Sequence, residues 1–281
     1  MLKRARIDIS PSSVHRKLKA SKYSLRGNRK SLSMRQSPDR NKQFEIINAT
    51  RDTFLKKGWA VISVDAKHRE LVGPFKNAGR EWRRTPRDVS ISDYPSDASG
   101  IAIPYGIYDL AQQDGFVVVG TSGNTPGFSV NAIKTWWSAV GRRLYAKCSR
   151  LLILADGGGS NGARAKKWKA ELQAFATAQR LKITVAHYPS GASKWNPVEH
   201  RLFSAISINW AAQPLVDYRT ICGFISRTRT GSGRRCHVRL DRKVWLTEKQ
   251  RVERGVPPKD LPVPKIRHST DLPKWNYTMR P

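Results

Sequence analysis

Leu151-Leu-Ile-Leu-Ala-Asp-Gly-Gly-Gly-Ser-Asn-Gly162 is the stretch on which the reading of the chain turns. Four consecutive large apolar residues, Leu151 to Leu154, read as a strand buried on both faces. The strand then delivers one carboxylate, Asp156, into a glycine-rich turn. A carboxylate at the end of a buried strand is costly unless it meets a partner, a metal ion or water. No Gly-Lys-Ser/Thr follows the glycines, which argues against a nucleotide-binding phosphate loop. The glycines fit a different use: a sharp turn with no side chains crowding the space that Asp156 enters.

Two further acids occupy comparable places. Trp59-Ala-Val-Ile-Ser-Val64 reads as a β-rich run that ends on Asp65. Lys182-Ile-Thr-Val-Ala186 reads as another strand. After the loop from His187 to Trp195, Asn196 and Pro197 make a helix start with Glu199 in its first turn. The element order is strand, hairpin, helix, strand, helix, strand, helix. That order gives an α/β fold built on a mixed sheet flanked by helices, in which strand ends and a helix start converge on one cleft. Taken singly, each acid has a plainer reading. Asp109 and Asp114 stand after strands as turn formers, and Glu199 could simply complement a helix dipole. Taken together, three convergent carboxylates repel unless cations lie between them. Oxygen donors of this kind suit Mg²⁺, with Mn²⁺ as a substitute. Two such ions about 3.5–4 Å apart can activate an attacking hydroxyl and stabilise the leaving oxygen of a phosphodiester.

The charge points to the same substrate class. Lys and Arg number 52 against 21 Asp and Glu in 281 residues, a formal charge of +31. A polyanion, most often nucleic acid, is the natural partner of such an imbalance, the alternative being a merely basic protein. Cys148, Cys222 and Cys236 form no Cys-x-x-Cys pair, which argues against a disulfide framework or zinc knuckle and fits a reducing, cytoplasmic location. No secretory signal follows the basic start, and no run of about 18 apolar residues occurs, so no membrane span is expected. His-Glu-x-x-His and cysteine-based sites are absent. His68, His187 and His200 lie near the acids in sequence, with phosphate contact or packing the commoner role for each.

Outward from these strands, Phe44–Gly58 has the spacing of an amphipathic helix. Residues 71–100 read as an irregular excursion or hairpin, and 105–120 as a hairpin turning at Asp114-Gly115. Ser129–Ala146 and Arg164–Gln179 read as core-facing helices, Trp136 and Trp137 serving packing rather than base stacking. Ile221–Ile225 continues helical, and one strand is expected near Cys236–Leu240. The expected partition is a basic arm over 1–43, a catalytic core over 44–225 and a basic Pro/Arg-rich, irregular extension over 226–281. The arm carries thirteen Lys and Arg against Asp8 and Asp39. Within it, Ser10 to Lys19 fits a short basic helix, either a solvated arm or a recognition helix. Only nine residues precede Ser10, so a helix-turn-helix would be cut short there. Arg16, Lys17, Lys67, Arg164, Lys166, Lys167, Lys194 and Arg201 are the candidate DNA-phosphate contacts.

Several longer motifs carry a resemblance. They are Ile62-Ser-Val-Asp65 with Lys67, Phe75-Lys-Asn-Ala-Gly-Arg-Glu-Trp82, Pro104-Tyr-Gly-Ile-Tyr-Asp109, Ala155-Asp-Gly-Gly-Gly-Ser-Asn-Gly162, Ser193-Lys-Trp-Asn-Pro-Val-Glu-His-Arg-Leu-Phe-Ser204 and Trp275-Asn-Tyr-Thr-Met-Arg-Pro281. In this order they resemble the Rhodopirellula-type DDE transposases of bacterial insertion sequences. The Asn-Pro-Val-Glu stretch is also similar to the third-acid region of mariner-like transposases. The resemblance implies a ribonuclease H-like core and an Asp-Asp-Glu triad at Asp65, Asp156 and Glu199. It implies Mg²⁺-dependent cleavage at transposon ends and attack of the freed 3′-hydroxyl on target DNA. Double-stranded DNA is then the partner, with a homo-oligomer assembled on it in the bacterial cytoplasm or nucleoid. Family members usually carry a longer N-terminal DNA-binding region, of which the arm is expected to be the last helix. The competing readings are a non-catalytic or domesticated DNA-binding derivative and a ribonuclease H acting on RNA–DNA hybrids.

Overall fold

The computed structural model describes residues 9–24, 26, 38–257 and 260–281. The chain divides into two compact units, residues 1–34 and 35–281. In the first, α1 (Pro11–Ala20) is the expected short basic helix, its first turn capped by Ser10, whose hydroxyl accepts from the Ser13 amide. The rest of the basic arm, residues 1–8, 25 and 27–37, lies outside the described residues.

The second unit runs α2 (Arg40–Lys56), β1 (Ala60–Ala66), β2 (Glu70–Val72), β3 (Gly100–Asp109), β4 (Asp114–Gly120), α3 (Pro126–Trp136) and α4 (Arg142–Leu144). It continues with β5 (Arg150–Ala155), α5 (Lys166–Gln179), β6 (Lys182–His187), α6 (Ser204–Asn209), α7 (Tyr218–Arg227), β7 (His237–Asp241), α8 (Glu248–Glu253), β8 (Ile266–His268) and β9 (Asn276–Met279). Among the described residues the strands form one mixed sheet in the order β7-β4-β3-β1-β5-β6-β9-β8, with β2 on the edge of β3.

Helices cover both sheet faces, so central strands are buried throughout rather than alternately. On β5, Leu151, Ile153 and Ala155 pack with α3 and α5, while Leu152 and Leu154 face α2. The same alternation on β1 sends Ala60, Ile62 and Val64 one way and Val61 the other. Each fully buried Leu, Ile or Val contributes about 1.5–3 kcal/mol relative to exposure. Trp136 and Trp137 are buried in this core, as packing residues.

Three local expectations shift. The β3–β4 hairpin turns over Leu110–Gln113, with Asp109 opposite Asp114. The Asp109 carboxylate accepts from the Ala111 and Gln112 amides, both at 3.0 Å, and Gln113 takes φ 53°. Capping by that buried acid outweighs the Asp-Gly preference. The helix α2 starts at Arg40, before the expected Phe44, and its first turn carries Gln43, polar in sequence yet buried and amide-bonded. The helix expected over Ser129–Ala146 passes through a π-helical turn at Trp137–Gly141. The C-terminal stretch 226–281 contains more order than periodicity announced: besides the expected strand, β7, it supplies β8 and β9 to the far side of the sheet.

One close approach sets the site's geometry. Gly106 on β3 lies opposite Asp65 on β1. A Cβ there would come within 2.5 Å of the Phe203 ring and 2.8 Å of Val198 Cγ2. The missing side chain lets the π-helical segment Val198–Phe203 lie directly on the sheet. Gly106→Ala should therefore cost about 1–3 kcal/mol through overpacking. Denaturant unfolding checks this; a variant as stable as wild type would show that the segment does not bear on Gly106.

Candidate active site

The first two acids are brought together by strand pairing. β1 and β5 are parallel neighbours, with Val64 opposite Ala155. Asp65 and Asp156 are the next positions along, on strands about 4.8 Å apart. Side-chain parity points both toward the face that carries α2 and the Val198–Phe203 segment. Each carboxylate accepts from the amide that follows it: Ala66 N–H to Asp65 Oδ1 at 2.8 Å and Gly157 N–H to Asp156 Oδ1 at 2.6 Å.

Glu199 arrives by a different route. Ser63, two residues before Asp65 and on the same face of β1, donates its hydroxyl to Asn196 Oδ1. The same hydroxyl accepts from the Val198 amide at 2.9 Å. Asn196 Nδ2 in turn donates to the Val64 carbonyl at 3.4 Å. Ser63 and Asn196 are fully buried. The sequence expectation that Asn196 caps its own helix is therefore corrected. The cap comes from Ser63 across the interface, and Asn196 anchors the helix start to the strand that carries Asp65.

Asp65, Asp156 and Glu199 all line one cleft of about 600 Å³, together with Lys67, His68, Asn124 and the loop Gly158–Ser160. The loop is itself tied down. Tyr105 Oη donates to Asn161 Oδ1 at 2.9 Å, and Ser129 Oγ donates to Ser160 Oγ at 2.8 Å. The Ser-Asn pair after the glycines thus fastens the loop to β3 and α3.

The electrostatics are those of crowded, half-buried acids. Burial pushes the Asp65 carboxyl up to about 8, and repulsion from Asp156 and Glu199 adds to it, against the opposing Ala66 hydrogen bond. Burial also raises Glu199, which shares a hydrogen bond with Asp65, and raises Asp156, where the Gly157 amide opposes the shift. The acids ring the cleft rather than closing on a point: among the described residues no three His, Cys, Asp or Glu side chains are gathered as a single ion's ligand set. The donor set still fits a hard divalent cation. All three ligands are carboxylate oxygens, their unfavourable ionisation is what a cation relieves, and Mg²⁺ retains waters and takes few protein ligands.

The candidate DNA contacts separate. Lys67 lines the cleft, bonded to Glu70 Oε1 at 2.6 Å and lying over the Trp210 ring. Arg164, Lys166, Lys194 and Arg201 are exposed outside the cleft lining, and Arg16 and Lys17 are exposed on α1. Lys167 is engaged by Glu248 at 2.9 Å. His68 lines the cleft, whereas His187 is fully buried and held by burial down at about 4, a neutral packed side chain. Sequence reasoning missed Asn124, Ser204 and Ser207 in the lining. Ser207 lies eight residues after Glu199, so a period count from Glu199 could have reached it; Ser204, five residues on, comes round to the cleft only through the π-helical turns of Val198–Phe203, and Asn124 carried no such pattern.

The family profile described as Rhodopirellula transposase DDE domain matches residues 1–281. No curated protein matches the sequence. Solved structures similar to the fold include the Mos1 transposase paired-end complex with left transposon end, at TM-score 0.52 and 15% identity. A second is the mariner Mos1 paired end complex with Mg, at TM-score 0.51 and 12% identity. Each match covers 78% of this chain and 62% of the Mos1 chain, so the chain spans less than two thirds of that relative's length. At such identity the likeness is one of fold, and the architecture is ribonuclease H-like, as the motif resemblance implied.

A raised carboxyl has a signed consequence for stability. Between its ordinary value near 3.8 and about 8, Asp65 binds more proton in the folded state than in the unfolded state. Stability from this group is therefore present at low pH and lost as pH rises through that window. Asp65→Asn, melted in chelator, should gain roughly 2–6 °C in Tm at pH 8 and little at pH 4. An equal shift at both pH values would show that Asp65 is not the strained group.

Proposed function

We propose that this chain, which belongs to the Rhodopirellula transposase DDE-domain family, cleaves DNA strands at transposon ends and joins them to target DNA. The observation that carries the reading is the convergence of Asp65, Asp156 and Glu199 on one cleft of a protein with formal charge +31. Asp65 and Asp156 would hold divalent ions, Mg²⁺ or Mn²⁺, with Glu199 completing the set. Bound ions of this kind supply Lewis-acid stabilisation of charge on phosphate oxygens.

The chain's own residues supply position and charge. Parallel pairing of β1 and β5 sets the spacing of the two aspartates before any substrate arrives. The Ser63–Asn196 link keeps Glu199 in the same frame as the two aspartates. Such preorganisation avoids a reorganisation cost at the moment of bond breaking. Gly158 and Gly159 leave the cleft wall free of side chains, so a phosphodiester backbone can approach. Lys67, on the cleft, is the proposed direct phosphate contact. Exposed Arg16, Lys17, Arg164, Lys166, Lys194 and Arg201 draw duplex DNA to the surface, and Lys167 joins them on release from Glu248. Family membership and the paired-end assemblies described for Mos1 support a homo-oligomer acting on two DNA ends.

The test is cleavage of DNA duplexes carrying the element's own ends, with Mg²⁺ or Mn²⁺ and with chelator. Asp156→Asn and Glu199→Gln should lower the cleavage rate on the order of 10²–10³-fold. DNA affinity measured without divalent ion should stay unchanged. Binding without cleavage by wild type would favour a non-catalytic DNA-binding derivative. Preference for RNA–DNA hybrids would favour a ribonuclease H.

A further inference from the structure

The β5–β6 backbone ladder stops at Ala155, whose carbonyl accepts from the Tyr188 amide at 2.9 Å. The next carbonyl, that of Asp156, is taken over by a side chain. His187 Nδ1 lies 3.1 Å from it, and His187 Nε2 lies 3.0 Å from Tyr277 Oη on β9. Trp168 Nε1 on α5 donates to the same tyrosine oxygen at 3.1 Å. All three side chains are fully or almost fully buried.

The hydrogen-bond directions are forced by chemistry. An indole N–H only donates and a carbonyl only accepts. His187 must therefore carry its proton on Nδ1, which leaves Nε2 as an acceptor, and Tyr277 must donate to it while accepting from Trp168. Every polar atom in the chain of contacts is then satisfied, as burial demands. The backbone of His187 is pinned as well. Gln43 Nε2 donates to its carbonyl at 2.8 Å, and the Gln43 and Asn276 amides pair reciprocally at 3.0 and 2.7 Å.

The group being held is the peptide between Asp156 and Gly157. Its carbonyl accepts from His187, and its N–H donates to Asp156 Oδ1 at 2.6 Å. A peptide is planar, so fixing the carbonyl fixes the N–H on its other side. That N–H in turn sets the carboxylate's rotamer. We propose that His187 and Tyr277 are positioning residues for Asp156, so that the C-terminal strand β9 acts through the imidazole to aim the Asp156 carboxylate into the cleft. The inference rests on the reading of Asp156 as a carboxylate of the reacting centre.

Three variants of the full chain test it: Tyr277→Phe, His187→Leu and His187→Asn. The asparagine keeps an N–H donor where Nδ1 stood. Two readouts are independent of activity: the imidazole tautomer from ¹H–¹⁵N correlation, and the amide resonance of Gly157. Wild type should show His187 as the Nδ1–H tautomer. Tyr277→Phe should mix the tautomers and shift Gly157. Single-turnover cleavage at saturating DNA should fall about 10–100-fold in Tyr277→Phe and His187→Leu, with DNA affinity unchanged and partial rescue in His187→Asn. An Nε2–H tautomer in wild type, a folded Tyr277→Phe that cleaves at the wild-type rate, or no rescue by asparagine would overturn the proposal. If wild type does not cleave at all, the tautomer and the Gly157 shift still decide it. Their appearance as expected would uphold the positioning network and overturn only the catalytic reading of the cleft.

Discussion

Like charges placed side by side at the ends of two parallel strands are the constraint on which the structure turns. Val64 opposite Ala155 puts Asp65 and Asp156 next to one another with no freedom to diverge. Burial then raises both carboxyls, and for Asp65 repulsion from Asp156 and Glu199 adds to it, up to about 8. A fold selected only for stability would avoid this. The arrangement makes sense if the cleft exists to receive positive charge, and the hard oxygen donors specify which kind.

Around that pair, the fold spends its buried polar groups on holding backbone. Ser63 and Asn196 tie the Glu199 segment to β1, and the glycine at 106 lets the segment settle on the sheet. Tyr105, Asn161, Ser129 and Ser160 anchor the loop that follows Asp156. Trp168, Tyr277 and His187 hold the peptide at Asp156 itself. In each case a neutral side chain satisfies a main-chain or loop group beside an acid rather than neutralising the acid. The carboxylates are thus oriented without being paired with a protein cation, which leaves them open to the divalent ion proposed to bind there. The same economy explains why β9, far from the cleft in sequence, belongs to the structural frame of the site.

Much of this was legible in the chain. The run Leu151–Leu154, the run ending on Asp65 and the proline-initiated segment before Glu199 announced themselves because strand burial and helix starts depend on neighbouring residues. Asp109 was readable as a turn former for the same reason, although its own capping bonds moved the turn away from Asp114-Gly115. Gln43, Asn196 and Tyr277 were not readable in their roles. Each is a polar residue whose partner lies on another element, 144, 133 and 90 residues away for the bonds that matter most. No local pattern encodes such a pairing.

By itself, then, the sequence determined the element order, the acids at the ends of two strands and a helix start, the excess of positive charge and the family motifs. These follow from residue type and short-range spacing. Only the tertiary structure decided that Asp65 and Asp156 sit in register, that Ser63 rather than Asn196 caps the Glu199 segment, and that β9 closes behind Asp156. Register, cross-element capping and buried polar chains depend on which strands become neighbours. That choice is settled by packing both faces of the sheet at once, not by any stretch of chain read alone.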